Sequence, residues 1–114
     1  MTEEHSGDED AVRAVATVAV PQAIPMVSVL GVDDEVLREM EAQFAALDIH
    51  VRGDAITISG PVKEVRLGEE LVEELIMVLR SGHPVNAESV RRAVALLRSG
   101  ADLSPSQLLT AGIL

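Results

Sequence analysis

Residues 30–60 read LGVDDEVLREMEAQFAALDIHVRGDAITISG, and this stretch decides the fold. A glycine is followed by three acidic residues and then by apolar residues at the spacing of an amphipathic helix. Two runs of alternating apolar residues come next, on either side of Gly53-Asp54, a pair that favours the tight turn of a β-hairpin. The stretch therefore predicts a helix followed by a hairpin, with apolar positions at Val36, Leu37, Met40, Phe44, Leu47, Ile49, Val51, Ile56 and Ile58.

The segment before this stretch predicts one strand and one short helical turn. Residues 11–20 are rich in Val and Ala, and we expect a strand that ends at Val20, before Pro21. The two prolines that follow allow a helical turn after Pro21 or after Pro25, because proline fits the first turn of a helix. Gly31 ends that turn.

The segment after the hairpin predicts three helices. Residues 62–82 form a long amphipathic pattern in which Gly68 indicates a close approach to another element or an irregular start. Asn86 caps the next helix, which ends at Gly100. A fourth, short helix starts at Pro105, inside a Ser-x-x-Gln capping box. Helices packed on a three-stranded sheet give an α+β fold, and its expected core centre is Phe44, Met40, Leu37, Ile56, Ile58, Leu75 and Leu79.

The glycine and acids that open the first long helix form the candidate functional loop, Gly31, Val32, Asp33 and Asp34. A glycine turn that leads into a helix N-terminus is a common anion site, because free backbone N–H groups and the helix dipole point outward there. Carboxylates at that place repel a phosphate. We therefore favour a capped helix start, in which Asp33 or Asp34 accepts the orphan N–H groups, over an anion-binding loop.

Composition argues against tight binding of nucleic acid by this chain alone. The 114 residues carry a net charge of −10, and five of the acids lie in the first ten residues, an acidic stretch that predicts a disordered tail. A nucleic-acid-binding domain usually shows a basic footprint. Phe44 is the only aromatic residue, so stacking surfaces for bases are nearly absent. Without a signal-peptide pattern or a bilayer-length apolar run, the expected location is cytoplasmic, with no membrane contact.

No catalytic or metal-binding pattern stands out. There is no cysteine and no G-x-x-x-x-G-K-[ST] phosphate-binding loop, and the three histidines lack metal-ligand spacing. We therefore expect no cofactor and no enzymatic activity in this chain. The one basic concentration is a candidate patch of Arg91, Arg92 and Arg98, for which a solvated helix face is favoured over a phosphate-contacting surface.

The order strand, turn with Gly, helix, strand, turn, strand, helix resembles the type I KH domain. There a GxxG loop between two helices clamps a nucleotide backbone, and Gly31-Val32-Asp33-Asp34 occupies that place without the second glycine. A closer resemblance is to the N-terminal region of bacterial PhoH-like proteins. Two segments are similar to that region: residues 30–60, and residues 80–100, which read RSGHPVNAESVRRAVALLRSG. The resemblance covers roughly residues 14 to 112.

The PhoH-like resemblance implies a KH-like accessory domain of an ATPase connected with RNA metabolism and phosphate starvation. Together with the tail over 1–10 that composition predicts, it divides the chain into a KH-like α+β domain over 11–82 and a helical extension over 83–114 that leads to an ATPase domain absent from this sequence. ATP and Mg²⁺ are expected only in that absent domain. Two functions stay open at this point: an interaction or assembly module that contacts its own ATPase domain, a neighbouring subunit or a ribonuclease, and an RNA-binding module of weak affinity.

Overall fold

The computed structural model describes residues 12–99, and the predicted tail and the predicted fourth helix lie outside them. The order of strands and helices along these residues is the one that the sequence predicts. The elements are β1 (Arg13–Ala19), α1 (Met26–Leu30), a 3-10 turn (Val32–Asp34), α2 (Glu35–Gln43), β2 (Asp48–Arg52), β3 (Ala55–Pro61), α3 (Val62–Arg80) and α4 (Ala87–Ser99).

The three strands form one antiparallel sheet in the order β1-β3-β2. The hairpin turn falls at Gly53 and Asp54, as predicted, so that Arg52 pairs with Ala55. Side chains alternate across the sheet, and those of Ile56 and Ile58 are buried on the face that the helices cover. The predicted α+β fold with a KH-like three-stranded sheet is confirmed.

The core lies between this sheet face and α3, with α2 and α4 closing its side. Leu37 and Leu79, predicted at its centre, are only half-buried. Leu37 lies at the side of the apolar stripe of α2, and Leu79 lies near the end of α3, where it lines an open cleft. The other five predicted centre residues are confirmed as buried. Further residues at most 1% exposed are Val29, Val36, Leu71, Val72, Val90 and Ala93.

Gly68 lies inside α3 where the helix crosses the sheet. A Cβ atom at this position would stand 3.0 Å from Leu47 Cδ1 and 3.5 Å from Ile58 Cγ2. The absence of a side chain therefore lets the α3 backbone approach the sheet closely, which is the first of the two roles that the sequence indicates.

α4 starts at the cap predicted from the sequence. Asn86 Oδ1 accepts the Ser89 N–H at 3.0 Å, and the Asn86 N–H donates to Ser89 Oγ at 3.1 Å. The helix buries Val90, Ala93 and Val94 and packs against α2 and α3. The division of the chain at residue 82 stays a prediction, as do the bounds of the tail and the extension.

Candidate interaction site

The candidate loop begins at Gly31, between α1 and the 3-10 turn. Its φ of 84° lies in the region that favours glycine, and its N–H donates to the carbonyl oxygen of Val27 at 2.9 Å. A Cβ atom here would stand 2.8 Å from Val36 Cγ2 and 2.9 Å from Glu35 Cγ. Glycine is therefore required for the chain to leave α1 and turn into α2.

Asp33 and Asp34 do not cap α2, so the predicted side-chain cap is wrong. Both residues are exposed and adopt left-handed backbone angles, with φ of 54° and 59°, and neither makes a cap hydrogen bond. A capping residue normally has extended angles that aim its oxygen at the N–H groups of the first turn. Left-handed backbone turns the carboxylates away from those groups, and Asp is one of the few residues that tolerates it.

An apolar cleft of about 340 Å³ adjoins this loop. It is formed where α1 and the loop meet the end of α3 and the segment that leads to α4. Two valines at its rim are strongly exposed, Val27 at 67% and Val32 at 73%. The lining residues are Val27, Ser28, Gly31, Val32, Leu79, Pro84 and Val85.

This cleft was not predicted from the sequence, although the sequence carries a signal for it. Val32 is an apolar residue at the tip of a loop otherwise made of glycine and aspartates. An apolar side chain is not stabilised by contact with water. Exposed apolar surface that is surrounded by polar residues is typical of interaction sites. The cleft and the acidic loop together make the candidate interaction site.

Arg98, at the end of α4, is held against the domain. Its guanidinium donates to both carboxylate oxygens of Glu64, at 2.9 and 3.3 Å, and to the carbonyl oxygen of Gln43 at 3.4 Å. It lies 5.0 Å from the centroid of the Phe44 ring, within cation–π distance. The hydrogen bond to Glu64 raises the pKa of Arg98 above its ordinary value.

The other two arginines of the candidate basic patch are also paired with carboxylates. Arg91 contacts Glu39 of α2 at 3.1 Å and Glu88 of its own helix at 3.3 Å, and Arg92 contacts Glu88 at 3.5 Å. Arg91 and Arg98 thus join α4 to α2 and α3. Each of the three arginines is therefore ion-paired within the domain. Arg91 and Arg98 lie on the same side of α4, toward α2 and α3, whereas Arg92 pairs only with Glu88 of its own helix.

The two described histidines lie in different parts of the fold, one in β2 and one after α3. Over residues 12–99 no three His, Asp or Glu side chains stand close enough to hold a metal ion. His50 is exposed on the open face of the sheet, opposite Thr57. His83 is half-buried after α3, and its Nδ1 atom is buried without a hydrogen-bond partner. In the same part of the chain, no helix is long and apolar enough to cross a bilayer.

The fold and this site define the class of the molecule: a KH-like α+β domain with an acidic loop at the GxxG position and an apolar cleft beside it. No family model matches the chain, and no solved structure matches it. Curated proteins do match. A PhoH-like protein of Mycobacterium leprae is 40% identical over 99 residues, or 87% of this chain, and one of Mycobacterium tuberculosis is 39% identical over 99 residues.

These matches confirm the resemblance to PhoH-like proteins that the motifs indicate. The chain spans only 28% of the length of either relative. It is therefore similar to one region of a PhoH-like protein.

Proposed function

We propose that this chain is a non-catalytic accessory domain of a PhoH-like ATP-binding protein involved in RNA metabolism, and that it acts in the cytoplasm as an interaction or assembly module. Its partner is the ATPase domain of the same protein or of a neighbouring subunit, with a ribonuclease as a further candidate. The similarity to one region of PhoH-like proteins supports the family context.

The observation that carries the assembly role is the pairing of the arginines. Arg91, Arg92 and Arg98 each contact a carboxylate of their own domain, so a phosphate backbone has to compete with those carboxylates for them. The loop at the GxxG position adds Asp33 and Asp34, whose charges repel phosphate. The cleft beside that loop offers apolar surface instead, which favours contact with another protein.

RNA binding remains the second candidate, and one observation favours it. The Glu35 N–H donates to the Val32 carbonyl oxygen, but because Asp33 and Asp34 make no cap hydrogen bonds, the next backbone N–H groups of α2 have no side-chain partner from them. Such N–H groups at a helix N-terminus can donate hydrogen bonds to a bound anion. The two exposed carboxylates lie beside any anion bound there, so we expect this affinity to be weak.

Two binding measurements on the purified 114-residue chain separate the candidates. The first titrates a single-stranded RNA of mixed sequence at low and moderate salt. The second titrates the Mycobacterium tuberculosis PhoH-like protein from which the matching 99 residues are removed, after circular dichroism shows that the remainder is folded. Assembly predicts binding in the second measurement, weakened by Val32→Asp, with Glu41→Gln as an exposed control away from the cleft.

RNA binding that falls steeply with salt, together with no binding to the PhoH-like remainder, would overturn the assembly role. An Asp33→Lys, Asp34→Gly variant sharpens the RNA measurement, because it restores a GxxG pattern with a basic residue. We expect this variant to bind RNA weakly at most, since the rest of the chain stays acidic.

We also expect the chain to neither bind nor hydrolyse ATP, which a fluorescent ATP analogue and a phosphate-release assay measure.

A further inference from the structure

Within residues 12–99, β1 is an edge strand, and one row of its backbone groups is not paired with another strand. Among the described residues, β3 is the only strand paired with it. The Val20 N–H donates to the Asp54 carbonyl oxygen at 2.7 Å, and the Val62 N–H donates to the Val12 carbonyl oxygen at 3.0 Å. Because hydrogen-bond direction alternates along an antiparallel strand, even-numbered residues of β1 face β3. The outward-facing backbone groups belong to Arg13, Val15, Thr17 and Ala19.

This edge lacks the protection that sheet edges normally carry. From residue 14 to residue 20 there is no charged residue and no proline, and Val15 is 70% exposed on the open face of the sheet. The opposite edge differs. β2 is shorter, and its open face carries Asp48, His50 and Arg52. The contrast within one sheet marks the β1 edge as the side suited to pairing with another strand.

We propose that β1 pairs in antiparallel fashion with β1 of a second copy of this chain, about a two-fold axis that passes by Ala16. This register aligns all seven residues of both strands and places each Val15 opposite the partner's Thr17. Arg13 then lies opposite Ala19, so no like charges meet. Four hydrogen-bonded residue pairs form, which gives about eight backbone hydrogen bonds across a continuous six-stranded sheet.

The side chains on both faces of the joint are compatible with this pairing. On the open face, Val15 contacts a Thr methyl group and loses exposure, a pair of β-branched residues that suits a strand. On the helix-covered face, the axis brings Ala16 against its own copy, with Ala14 opposite Val18. The two alanines are small and half-buried, so they leave room for a second copy of α3 at the joint.

The inference rests on the proposed assembly role and names a partner for it, a second copy of the chain. Sedimentation measures the association of the 114-residue chain from about 10 µM to about 1 mM, the range expected for a small interface. Two double variants test the register. Val15→Lys, Thr17→Lys places like charges opposite each other, whereas Val15→Lys, Thr17→Glu places opposite charges there.

We expect the wild-type chain to dimerise, the Lys/Lys variant to stay monomeric, and the Lys/Glu variant to dimerise again. His50→Lys, on the open face of β2, is the matched control that leaves dimerisation unchanged, and circular dichroism checks that every variant is folded. A wild-type chain that is monomeric throughout the range, or a Lys/Lys variant that dimerises as well as the wild type, would overturn the inference. Binding of the monomeric Lys/Lys variant to the PhoH-like remainder would still support the assembly role through the cleft.

Discussion

Truncation of Phe44 to alanine is the sharpest test of how this domain is held together. Phe44 follows α2, is 1% exposed and is the only aromatic side chain in the sequence. Its ring lies in the core on one side and under the Arg98 guanidinium on the other. The substitution therefore removes core volume and one contact that attaches α4.

The expected loss in the free energy of unfolding is about 3–5 kcal/mol, the usual range for Phe→Ala in a packed core. The cation–π contact contributes only about 0.5 kcal/mol of this, because the Arg98 side chain is 40% exposed. Since domains of this kind are stable by about 5–15 kcal/mol, the variant loses from about a fifth to all of its stability. Phe44→Leu keeps most of the apolar volume and should cost about 1.5 kcal/mol or less.

Urea unfolding followed by circular dichroism measures these values, because the chain has no Trp or Tyr for fluorescence. The leucine variant keeps the test usable if Phe44→Ala does not fold. A loss below about 1 kcal/mol for the alanine variant would refute the placement of Phe44 in the core. A double-mutant cycle with Arg98→Met isolates the ring contact, which we expect to give a coupling near 0.5 kcal/mol.

Three further outcomes follow from the loop and from the ion pairs. Gly31→Ala should lower stability by more than about 1 kcal/mol in urea unfolding, because alanine at positive φ is strained and its Cβ has no room. Asp34→Val should be about 1–2 kcal/mol less stable than Asp34→Gly although the side chain is exposed, and equal stabilities would contradict its left-handed backbone. Glu64→Gln should cost less than about 1 kcal/mol, because its pair with Arg98 is partly exposed, and the cost should shrink in high salt.

The hairpin and the helix stripes were predictable because their signals are local. Gly53-Asp54 fixes a two-residue turn, and alternation on both sides of it fixes which face of each strand is buried. Asn86 likewise caps α4 through Ser89, three residues away. Each of these features depends only on residues within a few positions of one another.

The features that sequence could not supply depend on distant parts of the chain. Whether Asp34 caps α2 depends on the angle at which α1 enters, and packing sets that angle. Arg98 pairs with Glu64, 34 residues away in the sequence, and Arg91 pairs with Glu39, 52 residues away. The sequence therefore shows a cluster of arginines but not the distant carboxylates that pair with them in the folded domain. The cleft, too, forms only where Val32 and Val85 are brought together.

The central place of β3 in the sheet has a consequence for the order of folding. Its pairs with β2 are 3 to 11 residues apart along the chain, whereas its pairs with β1 are 36 to 48 residues apart. Closing the longer loop costs more chain entropy, so we expect the hairpin and α3 to form first and β1 to dock after the transition state. Substitutions such as Val18→Ala should then speed unfolding while leaving the refolding rate almost unchanged, as chevron plots measure. Until β1 docks, one edge of β3 is unpaired and can pair with a strand of another molecule. The docking of β1 is therefore the folding step at which this small domain is most prone to misassembly.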